Sequence, residues 1–233
     1  QEEVRVGIIG CGRVAMRFPS EADVVSGISI VAAYDILPER AIALASGHPG
    51  VEVCDTVESL LSSVDAVYIA TPHLSHEEYI RKALESGKHV LVETPMVLTA
   101  SAAKDLFAFA EEKGLILMEA NKTAHCPAFN HLMVMIKSGV IGDVVDVEAS
   151  LSKQWDDNKT LREFDPTQAG GSLYELGSYP LLPIIKLCGT EYENLNLYSR
   201  MKEGIDMYTK GVFRFKDAVC SFKVGLGVKT EGS

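Results

Sequence analysis

The stretch Val4 to Ala15, VRVGIIGCGRVA, constrains the fold more than any other, because it sets a glycine-rich turn directly behind a short apolar run and ahead of a segment that reads as helix. Val4, Val6, Ile8 and Ile9 are β-branched and nearly continuous in apolar character, as expected of a strand covered on both faces. Gly10-Cys11-Gly12-Arg13-Val14-Ala15 then fits G-x-G-x-x-A. Gly10 allows the tight turn, Gly12 lets the backbone approach a pyrophosphate with no Cβ in the way, and Ala15 keeps the following helix close to the sheet. A pyrophosphate there meets the free N–H groups and positive dipole end of that helix.

Glycine-rich turns occur in many folds, so the pattern needs support. A second apolar run, Ile28 to Tyr34, ends in Asp35, about 20 residues beyond the turn, where an acidic side chain can take both ribose hydroxyls of a dinucleotide. A carboxylate at that point repels a 2′-phosphate. Ile36, Leu37 and Pro38 offer no guanidinium to receive one, although Arg40 is close, so the residues favour NAD over NADP.

Strand and helix patterns alternate through the first half. Pro38 to Ala45 reads as helix, Val51 to Cys54 as strand, Thr56 to Ser62 as helix, and Ala66 to Ala70 as a strand ending at Thr71-Pro72. His76 to Ser86 reads as helix, His89 to Val92 as strand, Leu98 to Lys113 as a longer helix and Leu115 to Glu119 as a further strand. This spacing predicts parallel βαβ units with a ligand crevice beyond the carboxyl ends of the strands. The segments to examine for chemistry are Thr71 to His76, Glu93 to Pro95 and Asn121 to His125.

Composition narrows the class of partner. The net charge of -10, with no basic run, argues against nucleic acid. No apolar stretch reaches the roughly 18 to 20 residues that span a bilayer, and no secretory leader pattern opens the chain. Cys11, Cys54, Cys126, Cys188 and Cys220 are odd in number and widely spaced, which points to reduced thiols in a cytoplasm instead of disulfides or a zinc site. Cys11 is either a small space-filling residue or a reactive thiolate near a helix N-terminus. No histidine pair has a helical metal-ligand spacing, and no metal is expected.

Four ordered segments carry a family resemblance. Ile69-Ala70-Thr71-Pro72-His73-Leu74-Ser75-His76, Ala83 to Pro95 (ALESGKHVLVETP), Ser138 to Val144 (SGVIGDV) and Gly170 to Tyr179 (GGSLYELGSY) resemble the glucose-fructose oxidoreductase / inositol dehydrogenase / MocA family, with the dihydrodiol and xylose dehydrogenase branch nearest in motif. The resemblance implies an α/β protein: a doubly wound Rossmann domain binding NAD over residues 1–120, then over 121–233 an α/β domain whose large, mostly antiparallel sheet carries substrate residues and an oligomer interface. A homo-oligomer, dimer or tetramer, is therefore expected. Thr71, Pro72, His73, His76, Glu93, Thr94 and Pro95 join the glycine turn and Asp35 as cofactor residues.

Departures from the family pattern are as informative. The usual E-K-P lysine near the nicotinamide is Thr94, which carries no charge. Glu93 either faces the cofactor or caps the next element. The family's D-x-G-x-H is Glu175-Leu176-Gly177-Ser178-Tyr179, so Tyr179 stands at the histidine position, where the dihydrodiol dehydrogenase branch uses a tyrosine for proton transfer. The alternative packs its ring at a domain boundary with only the hydroxyl exposed. Glu175, four residues earlier, shares a helix face with it. A tyrosine of ordinary pKa near 10 needs a neighbouring cation to act as a base, and Lys122, in Glu119 to Pro127 (EANKTAHCP), is the candidate; otherwise it is a solvated lysine after a strand.

His48, His89 and His131 read as structural or surface groups, and Trp155 to Gln168, with Asp156, Asp157, Glu163 and Asp165, reads as an exposed connection or a lid over the substrate groove. The expected activity is hydride transfer between nicotinamide and a sugar, polyol or sugar derivative. Two rivals stand beside it: redox-neutral glycoside or epimerisation chemistry with tightly bound NAD, and a nucleotide- or metabolite-sensing protein without catalysis. The second domain is short for the fold, and Val212 to Val224 reads as strands whose neighbours are missing, so the chain is expected to be truncated at its C-terminus.

Overall fold

The computed structural model describes residues 3–154 and 161–230, and divides into two compact units, residues 1–120 and 121–233. The first contains β1 (Val4–Ile9), α1 (Phe18–Ala22), β2 (Ile28–Tyr34), α2 (Pro38–Ser46), β3 (Glu52–Val53), α3 (Val57–Ser62), β4 (Ala66–Ile69), α4 (His76–Glu85), β5 (His89–Val92), α5 (Ala100–Glu112) and β6 (Leu117–Glu119). The strands form one six-stranded sheet in the order β3-β2-β1-β4-β5-β6, with every pair parallel. The order reverses between β1 and β4. That is the point where an open parallel sheet leaves a crevice for ligands.

Residues that alternate along these strands feed two cores. Ile9, Ala32, Val67 and Ile69 pack with Leu60, Ile80, Leu84 and Leu106, whereas Ile8, Ala33 and Tyr68 pack with Ala41 and Leu44. Helix starts follow local chemistry. Thr56 and Thr99 each accept a backbone N–H, from Ser59 and Ala102, and so cap α3 and α5. The helix expected behind the glycine turn is short, because a three-residue 3-10 turn, Ala15–Arg17, runs into the five residues of α1. Pro19 lies in the first turn of α1 and has no N–H to extend an α-helical ladder back through Ala15.

The second unit contains α6 (Lys122–His125), α7 (Pro127–Lys137), β7 (Asp146–Lys153), α8 (Ser172–Leu176), α9 (Ser178–Cys188), β8 (Asn194–Lys202), β9 (Ile205–Arg214) and β10 (Val219–Leu226). Its sheet runs β7-β10-β9-β8; β9 is antiparallel to both neighbours, and β10 is parallel to β7. Cys220, Phe222, Val224 and Leu226 of β10 form the core with Leu176 of α8 and Ile184 of α9. Phe222 lies directly over Gly211 of β9, where any Cβ would collide with its ring.

Of the expected lid or connection, residues 155–160 lie outside the described residues. The remainder departs from an exposed loop. It makes two 3-10 turns, Arg162–Phe164 and Pro166–Gln168, and buries Glu163 and Phe164. Phe164 belongs to the core of the second unit, so apolar packing holds this segment down.

Candidate nucleotide and substrate sites

In the first unit the glycine turn sits at the carboxyl end of β1. Gly10 has φ +89°, and a Cβ on it would lie 2.7 Å from Thr71 Cγ2 and 2.8 Å from the Ala70 carbonyl. Gly12 is the opposite case: a Cβ there would meet nothing within 4 Å, which leaves its backbone open to approach. Ala15 is fully buried against the sheet, while Arg13 and Val14 are exposed. Burial, reinforced by the charge of Asp35, pushes the Cys11 thiol up to about 12, so Cys11 fills space and is not a reactive thiolate.

Asp35 ties the turn to the end of β2. Its Oδ2 accepts the Cys11 N–H at 2.7 Å and its Oδ1 accepts the Leu37 N–H at 2.9 Å. The carboxylate is thereby fixed in orientation beside the glycine turn.

Past β4 and β5, hydrogen bonds tie Thr71, Pro72, His76 and Pro95 together. Ser75 donates to Thr71 Oγ1 at 2.8 Å and contacts the Pro72 carbonyl at 2.7 Å. The buried His76 ring lies between the carbonyls of Thr71 and Pro95, and the buried His73 ring stands edge-on to it, 5.9 Å between centroids. The Thr94-Pro95 peptide bond is cis. Glu93 accepts a 2.5 Å hydrogen bond from the Tyr68 hydroxyl, and Phe18 stacks on the Tyr68 ring at 4.0 Å. Glu119 likewise accepts the Met96 N–H, anchoring the segment after Pro95. Tyr68 and Glu119 were not singled out in the sequence, because each is an ordinary strand residue until its neighbour is known.

In the second unit Glu175 and Tyr179 fall in different helices, α8 and α9, rather than one. Gly177 between them keeps helical angles, φ -60° and ψ -33°, so the two residues remain a single helical turn apart. Asp206 of β9 fastens the start of α8: its Oδ2 accepts from the Ser172 hydroxyl at 2.6 Å, the Leu173 N–H at 3.0 Å and the Thr209 hydroxyl at 2.7 Å. Asn121 does similar work for α9, donating from Nδ2 to the Ser178 carbonyl at 3.1 Å.

Glu175 is largely buried, and Arg162 Nη1 lies 3.3 Å from its Oε2. Burial raises the Glu175 pKa above the usual carboxylate range, the Arg162 charge opposes that rise, and Glu163 adds to it. No local sequence pattern marks Arg162, which stands among the carboxylates of the expected connection or lid. Lys122 opens α6 and is exposed, and the cations acting on Glu175 are Arg162 and, more weakly, Lys153.

Profiles of known families match both units. Residues 4–121 match the oxidoreductase family with an NAD-binding Rossmann fold, Gfo/Idh/MocA, and residues 129–232 match the C-terminal domain of the same family. The chain belongs to this family. It is 32% identical over 213 residues to the dTDP-3,4-didehydro-2,6-dideoxy-alpha-D-glucose 3-reductase of Actinomadura kijaniata, covering 89% of this chain and 63% of the relative. To the scyllo-inositol 2-dehydrogenase (NADP(+)) IolU of Bacillus subtilis (strain 168) it is 29% identical, covering 87% and 64%. To the trans-1,2-dihydrobenzene-1,2-diol dehydrogenase of Sus scrofa it is 33% identical, covering 87% and 62%. The chain thus spans less than two thirds of the length of these relatives. Among solved structures, the 3-ketoreductase KijD10 of Actinomadura kijaniata, in complex with NADP and TDP-benzene, superposes with a TM-score of 0.85 at 28% identity, covering 97% of this chain and 71% of that one. GenD2 from gentamicin A biosynthesis, in complex with NAD, shares the fold with a TM-score of 0.89 at 22% identity, covering 99% and 68%. The family is one of oxidoreductases with an NAD-binding Rossmann fold, and the relatives named above are a dTDP-sugar reductase, an NADP(+) inositol dehydrogenase and a dihydrodiol dehydrogenase. No helix among the described residues is long and apolar enough to cross a membrane.

Proposed function

We propose that this chain takes part in hydride transfer between a nicotinamide dinucleotide and a carbinol carbon of a polyhydroxylated substrate, a sugar, polyol or sugar derivative. The observation that carries the reading is the pairing of an open Gly12 backbone with the Asp35 carboxylate fixed on the Cys11 N–H, a seat that a dinucleotide fits and an added Cβ would obstruct. The dinucleotide, when bound, supplies the hydride acceptor at nicotinamide C4. Gly10, Gly12 and the backbone of residues 11–15 would hold the diphosphate, Asp35 the ribose hydroxyls, and the segments at Thr71 to His76 and Glu93 to Pro95 the nicotinamide half. Tyr179 moves the hydroxyl proton of the substrate, while Glu175 and Lys122 orient that hydroxyl.

NAD is proposed as the preferred cofactor, because the Asp35 carboxylate, held beside the glycine turn by the Cys11 and Leu37 N–H groups, would repel a 2′-phosphate on the adenine ribose. Fluorescence titration is expected to show NADH binding about tenfold or more tightly than NADPH, a difference of about 1.4 kcal/mol or more, and Asp35→Ser is expected to erase the gap. Equal affinities in the wild type would sink the preference. Turnover is tested with both nucleotides against a panel of sugars, polyols, sugar acids and nucleotide sugars. Nucleotide binding without turnover across the panel would favour the redox-neutral or sensing alternatives, consistent with Thr94 in place of lysine.

Arg162 tunes the proposed Glu175 role. It is the largest influence holding the Glu175 pKa down against burial, so Arg162→Met raises that pKa further. If ionised Glu175 orients the substrate, the acid limb of the kcat/KM profile moves to higher pH in Arg162→Met and disappears in Glu175→Gln. An unmoved limb in Arg162→Met would assign it to another group.

A further inference from the structure

His76 opens α4 and is fully buried. Its Nδ1 lies 2.9 Å from the Pro95 carbonyl oxygen and its Nε2 lies 2.8 Å from the Thr71 carbonyl oxygen. Carbonyl oxygens accept hydrogen bonds and never donate them. A neutral imidazole has one N–H and one lone pair, so it satisfies one of these carbonyls and turns its lone pair on the other. Only the doubly protonated ring donates to both, and both separations are normal N–H···O distances.

The bridged carbonyls lie beyond the ends of adjacent strands. The β4–β5 ladder runs to Ile69 and Val92, and the Glu93 N–H to the Ile69 carbonyl, 2.9 Å, carries the backbone pairing one residue further. Beyond that bond His76 joins the Thr71 segment to the Pro95 segment. Both segments belong to the nucleotide seat proposed above, and the inference rests on that reading. We propose that His76 is a positioning residue: as an imidazolium it clamps the two segments together around the nucleotide, and loss of its proton releases one of them and weakens nucleotide binding.

Burying a charge is costly unless it is hydrogen-bonded, and here two charge-assisted bonds offset the cost. The positive end of α4 opposes the charge, while Glu77 and Glu78 in the same first turn favour it. The other ionisable groups on the surrounding elements are His73 in the preceding turn, Tyr68 and Glu93, bonded to each other, Glu119 on the Met96 N–H, His89 at the far end of β5, and the exposed Lys104 and Asp105 of α5. The sign follows from the bonds: the clamp is complete on the acid side of the His76 titration and loses one bond as pH rises through it.

The test uses the whole chain with 15N-labelled histidine, a side-chain proton–nitrogen correlation from about pH 6 to about pH 9, and NADH and NADPH fluorescence titrations over the same range. The signal lost in His76→Gln is expected to show two protonated ring nitrogens near neutral pH. Affinity for whichever nucleotide binds is expected to fall about tenfold as that signal converts to one protonated nitrogen, the loss of one charge-assisted bond. His76→Gln is expected to bind at the weak, high-pH level throughout. Replacing the other histidines one at a time assigns the signal by elimination, so the wild-type spectrum decides even where His76→Gln does not fold. A singly protonated His76 across the range, or a pH dependence of binding that survives His76→Gln, overturns the clamp. A wild type that binds neither nucleotide at any pH overturns the nucleotide reading, and the role of the clamp with it.

Discussion

Tyr179→Phe is expected to lower kcat by about 10²- to 10⁴-fold, the usual scale for losing a positioned proton-transfer group. The substitution removes one oxygen and keeps the ring. Tyr179 is half-buried in the first turn of α9, which is held by Asn121 on the Ser178 carbonyl and continues α8 through the helical Gly177, so the backbone has no cause to move. Nucleotide affinity is expected to stay within about twofold, because the substitution leaves the glycine turn and Asp35, proposed to hold the diphosphate and ribose, unchanged. Steady-state kinetics with a substrate from the panel, beside an NADH titration, separates these effects. A kcat within a few-fold of wild type would remove Tyr179 from proton transfer and leave Glu175 as the group to test. A joint collapse of kcat, nucleotide affinity and melting temperature would show a structural role instead.

Gly10→Val is expected to abolish measurable nucleotide binding and to cost about 2–5 kcal/mol of stability. Two costs add. A side chain at φ +89° carries a backbone penalty of about 1–2 kcal/mol, and forcing extra atoms into a filled space costs about 1–3 kcal/mol. The space is filled by Thr71 Cγ2 and the Ala70 carbonyl, both at the end of β4, so relief requires β1 and β4 to part at the switch point of the sheet. Gly10→Ala should show the same direction with a smaller effect, since its single carbon meets the same neighbours. Urea unfolding and NADH titration measure the two consequences independently. Wild-type stability in Gly10→Val would mean that the turn relaxes, and that Gly10 is needed for ligand approach alone.

Much of the first unit was legible because its signals are local. The expected strand His89 to Val92 coincides with β5, and the helix expected over Pro38 to Ala45 ends one residue later. Differences fall at ends, where a single bond decides. The helix expected from Leu98 starts at Ala100, since the Thr99 hydroxyl caps it, and the strand expected from Leu115 starts at Leu117, since the Leu115 N–H turns back to the Ala110 carbonyl. The run Val212 to Val224 reads in the sequence as strands whose neighbours are missing; the structure forms β9 and β10 around Phe215 to Ala218 and pairs them with β8 and β7. Its partners β7 and β8 were not separately legible, β8 being exposed along nearly its whole length.

The alternatives left open by the sequence were all questions of neighbours. Burial in the surrounding core, and then the charge of Asp35, 24 residues away, raise the Cys11 pKa and keep it a thiol. Glu93 accepts the Tyr68 hydroxyl from the adjacent strand, and the cap of the next helix is Thr99. Arg162 lies 13 residues from Glu175 and His76 lies 19 from Pro95, separations at which no periodicity links one residue to the other. Apolar alternation, β-branching and glycine placement act within a few residues, so the sequence by itself determined the βαβ order, the turn at Gly10 to Ala15 and the helical turn that joins Glu175 to Tyr179. Which carboxylate meets which donor depends on sheet order and on where each strand ends. The tertiary structure alone decided that, by bringing β1 beside both β2 and β4, placing β5 against β4, and packing α8 and the Arg162 turn onto one core.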